Sequence, residues 1–233
     1  MKKFLFLLVF IILPIWAYEV YTPDNYNYQE SGDKLLFVVD FSNSMSEYLE
    51  HKTKVNHVKE MMAYILPQIS PNTQVGVRVY GHTCNIIAFN ACRSSELIVP
   101  LGLNNTTKIG SEMLKLKPKG MTPITYSLKQ AVKKDLRGFD GIKHIILLTD
   151  GGENCDESPC DYAIELMKKR RDIKIDVIAF NVTDDDDLAQ LKCTADVTGG
   201  NFTEADTRAQ LFRSMENFIV PHKRVEASIY TGE

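Results

Sequence analysis

Short apolar runs alternate along this chain with segments of helical period, and the alternation starts sharply at Lys34. The runs read as strands at 35–40 (LLFVVD), 75–80 (VGVRVY), 96–101 (ELIVPL), 144–149 (HIILLT) and 173–180 (IKIDVIAF), with a short one at 201–204. Between them, Val55, Val58, Met62, Ile65 and Leu66 fall on one face of a helix, predicted within 46–66. Ile124, Leu128, Ala131 and Val132 mark a second helical face. Ser158-Pro159-Cys160-Asp161 has the order of an N-cap, a first-position proline and a first-turn acid. Thr183 and the acids that follow it suit another helix N-terminus, and a last helix is predicted over 207–218.

Strands that alternate with helices imply right-handed crossovers and a mostly parallel sheet. The predicted fold is α/β and doubly wound, with about six strands flanked by helices on both faces. The runs at 35–39 and 145–148 are apolar throughout, as central parallel strands are. The run at 75–80 alternates instead, which predicts a place nearer an edge or an antiparallel partner.

Ahead of this pattern, Lys2 and Lys3 precede an apolar block at 4–15, and Ala17 fits the last position before a cleavage site. The block is short for a membrane span, which needs about 20 residues. The expected organisation is therefore a signal peptide at 1–17, a polar arm at 18–32, one domain at 33–220 and a tail at 221–233. Export to the periplasm, the cell surface or the medium follows, with no membrane span left after cleavage. The net charge of −3 gives no reason to expect a nucleic-acid partner.

The five cysteines suit an oxidising compartment. Cys84 and Cys92 flank one short segment and Cys155 and Cys160 another, so the expected bonds are local, Cys84–Cys92 and Cys155–Cys160. Cys193 lies on an apolar helical face with Leu188, Leu191 and Ala195 and reads as a buried free thiol.

Ligands collect at the carboxyl ends of parallel strands, where strand order reverses. Two central runs end there in acids, Asp40 and Asp150, and two residues beyond Asp40 the hydroxyls of Ser42 and Ser44 begin. Thr122 adds a third hydroxyl just before a helix. Carboxylates and hydroxyls without thiolate or imidazole form a hard donor set, suited to Mg²⁺, with Ca²⁺ or Mn²⁺ as alternatives. Taken singly, each motif also reads as a helix cap or a turn.

In order and spacing, Asp40-Phe41-Ser42-Asn43-Ser44-Met45, GMTPI at 120–124 and TDGGE at 149–153 resemble the metal-ion-dependent adhesion site of von Willebrand factor type A (VWA) domains. The likeness spans most of 33–218 and is greatest to bacterial exported members. It implies a divalent cation held by Asp40, Ser42, Ser44, Thr122 and Asp150, some of them through water. It further implies a protein partner whose Glu or Asp carboxylate completes the coordination shell. His82 reads first as a structural hydrogen-bond partner of the adjacent loop, and Glu153, Asp156 and Glu157 as a solvated loop, with the rim of such a site as the alternative for all four.

An enzyme is not expected. The chain has no G-x-S-x-G elbow, no phosphate-binding G-x-x-x-x-G-K loop and no paired metal-binding histidines. Two other readings remain: a structural subunit of a cell-envelope assembly in which metal is incidental, and a metal-assisted hydrolase.

Overall fold

A computed structural model describes residues 33–83 and 91–219. The expected signal peptide, arm and tail, and Cys84, lie outside those residues. Among the described residues no helix is long and apolar enough to cross a membrane.

Strand β1 (Lys34–Asp40) is buried at every position. A 3₁₀ turn (Asn43–Ser46) and a two-strand ribbon, β2 (Tyr48–Leu49) with β3 (Lys52–Thr53), lead into α1 (Lys54–Ile65). The chain continues through β4 (Gln74–Tyr80), β5 (Ser95–Gly102), α2 (Thr106–Lys115) and α3 (Ile124–Gln130), which runs on through a π-helical turn at Ala131–Asp135. After it come β6 (Lys143–Thr149), α4 (Pro159–Met167), β7 (Ile173–Phe180), α5 (Asp185–Thr198), β8 (Phe202–Ala205) and α6 (Arg208–Ile219).

Six strands form one sheet in the order β5-β4-β1-β6-β7-β8, with every pair parallel except β4–β5. Alternate residues of β1 feed two apolar layers. Leu35, Phe37 and Val39 pack with α1, α2 and α6, while Leu36 and Val38 pack with α3, α4 and α5. The chain leaves β1 for β4 on one side and later returns to β6 on the other. The switch point is therefore at the carboxyl ends of β1 and β6.

The alternating run at 75–80 does have an antiparallel neighbour, but it is not at the edge; β5 covers it. Its polar member, Arg78, is buried because Asp135 meets it from the π-helical turn, Nε to Oδ2 at 2.6 Å and Nη2 to Oδ1 at 2.9 Å. Arg78 Nη1 also donates to Ser95 Oγ at 3.0 Å. Such a bidentate pair leaves no charge of either group unmet in the core.

The predicted caps divide. Ser158 does cap α4, accepting from Asp161 N at 3.1 Å, and Asp184 caps α5, accepting from Asp186 N and Asp187 N. The first helix starts at Lys54, with Thr53 at the N-cap position making no side-chain cap bond, so neither Ser42 nor Ser44 caps it. Helix α2 has no counterpart in the expected elements. Only Ile109 and Met113 of its residues are buried, too few to stand out in the sequence.

The local cysteine pairing is corrected. Cys92 bonds Cys155 and Cys160 bonds Cys193, across sequence separations of 63 and 33 residues. Cys193 is therefore not a free thiol. The first bond joins two loops and the second joins helices α4 and α5, which the crossovers set side by side, so sequence proximity is a poor guide to which sulfurs meet.

Removing one partner of the buried ion pair, as in Arg78→Ala, should cost about 3–5 kcal/mol of unfolding free energy in urea titrations. Non-reducing peptide mapping should recover Cys92 joined to Cys155 and Cys160 joined to Cys193, and reduction should lower stability by about 2–5 kcal/mol per bond.

Candidate functional site

Strand β1 delivers Asp40 to the switch point with 0% exposure. Three donors converge on its carboxylate. Ser42 N reaches Oδ1 at 2.6 Å, while Thr149 Oγ1 at 2.8 Å and Tyr80 OH at 3.2 Å reach Oδ2. The parallel register explains this: Asp40 stands opposite Tyr80 on β4, and Val39 stands opposite Leu148, one residue before Thr149, on β6. Even so, burial, reinforced by the charge of Asp150, pushes the Asp40 carboxyl up to about 7.

Asp150 follows β6 directly. Its Oδ1 accepts from Ser44 Oγ at 2.7 Å, and the Ser42 and Ser44 hydroxyls lie 3.0 Å apart. Burial also raises the Asp150 carboxyl, against the opposing pull of the Ser44 hydroxyl and of Lys54. The Lys54 ammonium stands 3.0 Å from Asp150 Oδ2 and 3.0 Å from Glu47 Oε2. Burial works against the Lys54 charge, but Asp150 and Glu47 outweigh it and raise its pKa.

Four of the five expected residues, Asp40, Ser42, Ser44 and Asp150, thus form one connected group. Thr122 is buried and joins through the backbone of its loop. Ser42 bridges to Gly120, and Asn43 N donates to Gly120 O at 2.9 Å. Gly81 permits this approach. It has φ 71°, and a Cβ there would lie 2.5 Å from Ser42 N.

Sequence reasoning missed several supporting residues. Tyr80 is one, although its place at the end of a strand was a usable signal. Asn154 is another: its Oδ1 accepts from Thr122 N at 2.7 Å. Glu153 is not a solvated rim acid, since its carboxylate spans Thr125 N at 2.7 Å and Cys155 N at 3.0 Å, and burial raises its pKa. Gly152 N donates to Asp187 Oδ2 at 3.0 Å, and a Cβ at Gly152 would collide with that carboxylate. His82 turns to Glu96 on β5, 3.1 Å away, and Glu157 pairs with Lys129.

The donor chemistry fits a hard dication. Two buried carboxylates and two adjacent hydroxyls supply only oxygen, and two formal negative charges match a charge of +2. Among the described residues no three His, Cys, Asp or Glu side chains converge as a metal cluster, so any cation here would depend on the hydroxyls.

Similar proteins agree with this architecture. Two Bacillus subtilis (strain 168) proteins, both described as uncharacterized, are related to the chain. YwmD is 24% identical over 221 residues, covering 93% of this chain and 96% of its own. YwmC is 28% identical over 175 residues, covering 73% and 76%. Among solved structures, a von Willebrand factor type A protein from Catenulispora acidiphila matches with a TM-score of 0.64 at 19% identity, covering 81% of this chain and 42% of that one. Proximal thread matrix protein 1 from the mussel byssus, in a form with a zinc-occupied MIDAS motif (the metal-ion-dependent adhesion site), matches with a TM-score of 0.61 at 22% identity over 81% and 45%. The pilus adhesin SpaC from Lactobacillus rhamnosus GG matches at 0.64 and 13% over 82% and 30%. The chain spans less than half of each of these three structures, and at such identities they show a shared fold. A family-wide sequence model of the von Willebrand factor type A domain matches residues 34–217, the same stretch that forms the sheet and its helices, and the chain belongs to that family.

Proposed function

We propose that this VWA domain is an exported binding module that holds a divalent cation at Asp40, Ser42, Ser44, Thr122 and Asp150. One observation carries the reading. Two acids from different strands are buried side by side at the switch point, and the hydroxyls of Ser42 and Ser44 are linked to one of them. Buried carboxylates that repel one another call for positive charge, and hydroxyls are ligands that do not cancel it.

Within this chain, Asp40 and Asp150 supply the negative charge, and the Ser42, Ser44 and Thr122 hydroxyls complete an oxygen cradle. Tyr80, Thr149 and the Ser42 amide orient Asp40, as outer partners of a metal ligand do. The bound cation, Mg²⁺ by preference, would supply a Lewis-acidic point that attracts a Glu or Asp carboxylate of a protein partner. Two disulfides support an oxidising location outside the cytoplasm. The pilus adhesin among the structural neighbours is in keeping with that, and the byssus protein is an example of a divalent ion in the corresponding motif of a related fold.

The Lys54–Asp150 ion pair favours a second reading. An ammonium already neutralises one carboxylate, as a purely structural subunit of an envelope assembly would need.

Calorimetric titration of Mg²⁺ should show binding to the wild type and a loss of at least about tenfold in affinity for Asp40→Ala. Equal affinity in both proteins would sink the metal reading. Capture of the protein partner by immobilised wild type should be abolished by EDTA and by the Ser42→Ala/Ser44→Ala double substitution; capture that survives both supports the structural subunit.

A further inference from the structure

Lys54 breaks a local rule. It is the first residue of α1, where the positive end of the helix disfavours cations, and α1 has no acid in its first turn to offset it. It is also 4% exposed, and long cationic side chains are almost never buried unless paired. Nothing in the helix itself accounts for a lysine there. Its two partners do. Glu47, in the turn before the ribbon, holds it from the solvent side, and Asp150, 96 residues away in sequence, holds it from within.

We propose that Lys54 sets the strength of the cation site, as a resident positive charge on Asp150 with which any dication must compete. The proposal rests on the metal-binding reading above and adds a residue that the resemblance to VWA domains does not assign. The Asp150 carboxylate is divided between two jobs: Oδ1 takes the Ser44 hydroxyl and Oδ2 takes the ammonium. A dication placed among Asp40, Ser42, Ser44 and Asp150 meets two carboxylates and one nearby ammonium, so the net charge facing it is −1 rather than −2. In a buried setting, where screening is weak, one unit charge at a few ångströms changes affinity by an order of magnitude or more. Lys54 therefore weakens the site, so that it fills where divalent ions are abundant and empties where they are scarce. Glu47 is the adjustable part of the arrangement. Its side chain is 66% exposed, so Lys54 has a second carboxylate to rest on at the surface if its hold on Asp150 is loosened.

The direction of the effect separates this role from a structural one. A lysine that merely braces the loop should weaken metal binding when it is removed, because the ligands lose their support. A competing charge should strengthen binding when it is removed. Mg²⁺ titration of Lys54→Met at near-neutral pH should therefore give an affinity about tenfold higher than wild type, or more, and Lys54→Arg should stay near wild type. Thermal unfolding supplies a second readout. Lys54→Met should melt below wild type in EDTA, with a larger upward shift on adding Mg²⁺. If Lys54→Met does not fold, Lys54→Gln, which keeps a donor towards Asp150 without the charge, is judged on the same criterion.

Unchanged or weaker affinity in the uncharged variants overturns the role of Lys54. If the wild type still binds Mg²⁺ and Asp40→Ala does not, the metal reading survives that failure. If wild type and uncharged variants alike bind no Mg²⁺, both fall together. Binding that appears only in the uncharged variants supports the proposal in its strongest form.

Discussion

Burial of the Asp40 carboxylate at the end of the central strand is the constraint around which the upper part of this domain is organised. A lone carboxylate in an apolar layer is costly to keep charged, and a second acid beside it makes matters worse. Each neighbour of Asp40 answers that cost. Tyr80 and Thr149 bring hydroxyls from the strands on either side, and the turn after Asp40 folds back so that the Ser42 amide can donate. Asp150 in turn recruits Ser44 and the buried Lys54. A strand that could have ended on a leucine ends on an acid that draws donors from β4, from β6 and from the turn that follows it.

Those segments are tied to one another as well as to the acids. Asn154 and Glu153 bond the backbone before and within the start of α3, Asp187 reaches from α5 to Gly152, and Cys155 is linked to Cys92 beyond β4. Loops are ordinarily the mobile part of an α/β domain. Here they are cross-connected by side chains and by a covalent bond, so the oxygen donors are held before any ligand arrives, which is what a binding site of defined geometry needs.

Much of this was legible in the sequence, for identifiable reasons. The fully buried strands announced themselves because a parallel strand covered on both faces must be apolar throughout, as 35–39 and 145–148 are. The acids Asp40 and Asp150 stood out because they ended such runs. Other features depended on tertiary packing that no local pattern encodes. Lys54 carried no signal in the sequence, and only folding brings Asp150 to it. Arg78 made β4 look half exposed, although Asp135 meets it from a turn 57 residues away. The cysteines misled because closeness in sequence was taken for closeness in space, whereas folding joins two distant loops through Cys92 and Cys155 and two neighbouring helices, α4 and α5, through Cys160 and Cys193. Thr122 lies between these cases, singled out by motif, with its backbone N–H held by the Asn154 side chain.

The sheet order has a mechanical consequence. The site sits at the carboxyl end of β1, and the strand runs from there to Lys34 at the opposite end of the domain. Tension applied between those two ends would load β1 along its own axis. Its ladders with β4 and β6 extend over nearly its whole length, so their hydrogen bonds would resist as a set, in shear, and would not open one at a time. A domain that grips at one end and is tethered at the other would then be strongest along the line on which it is pulled.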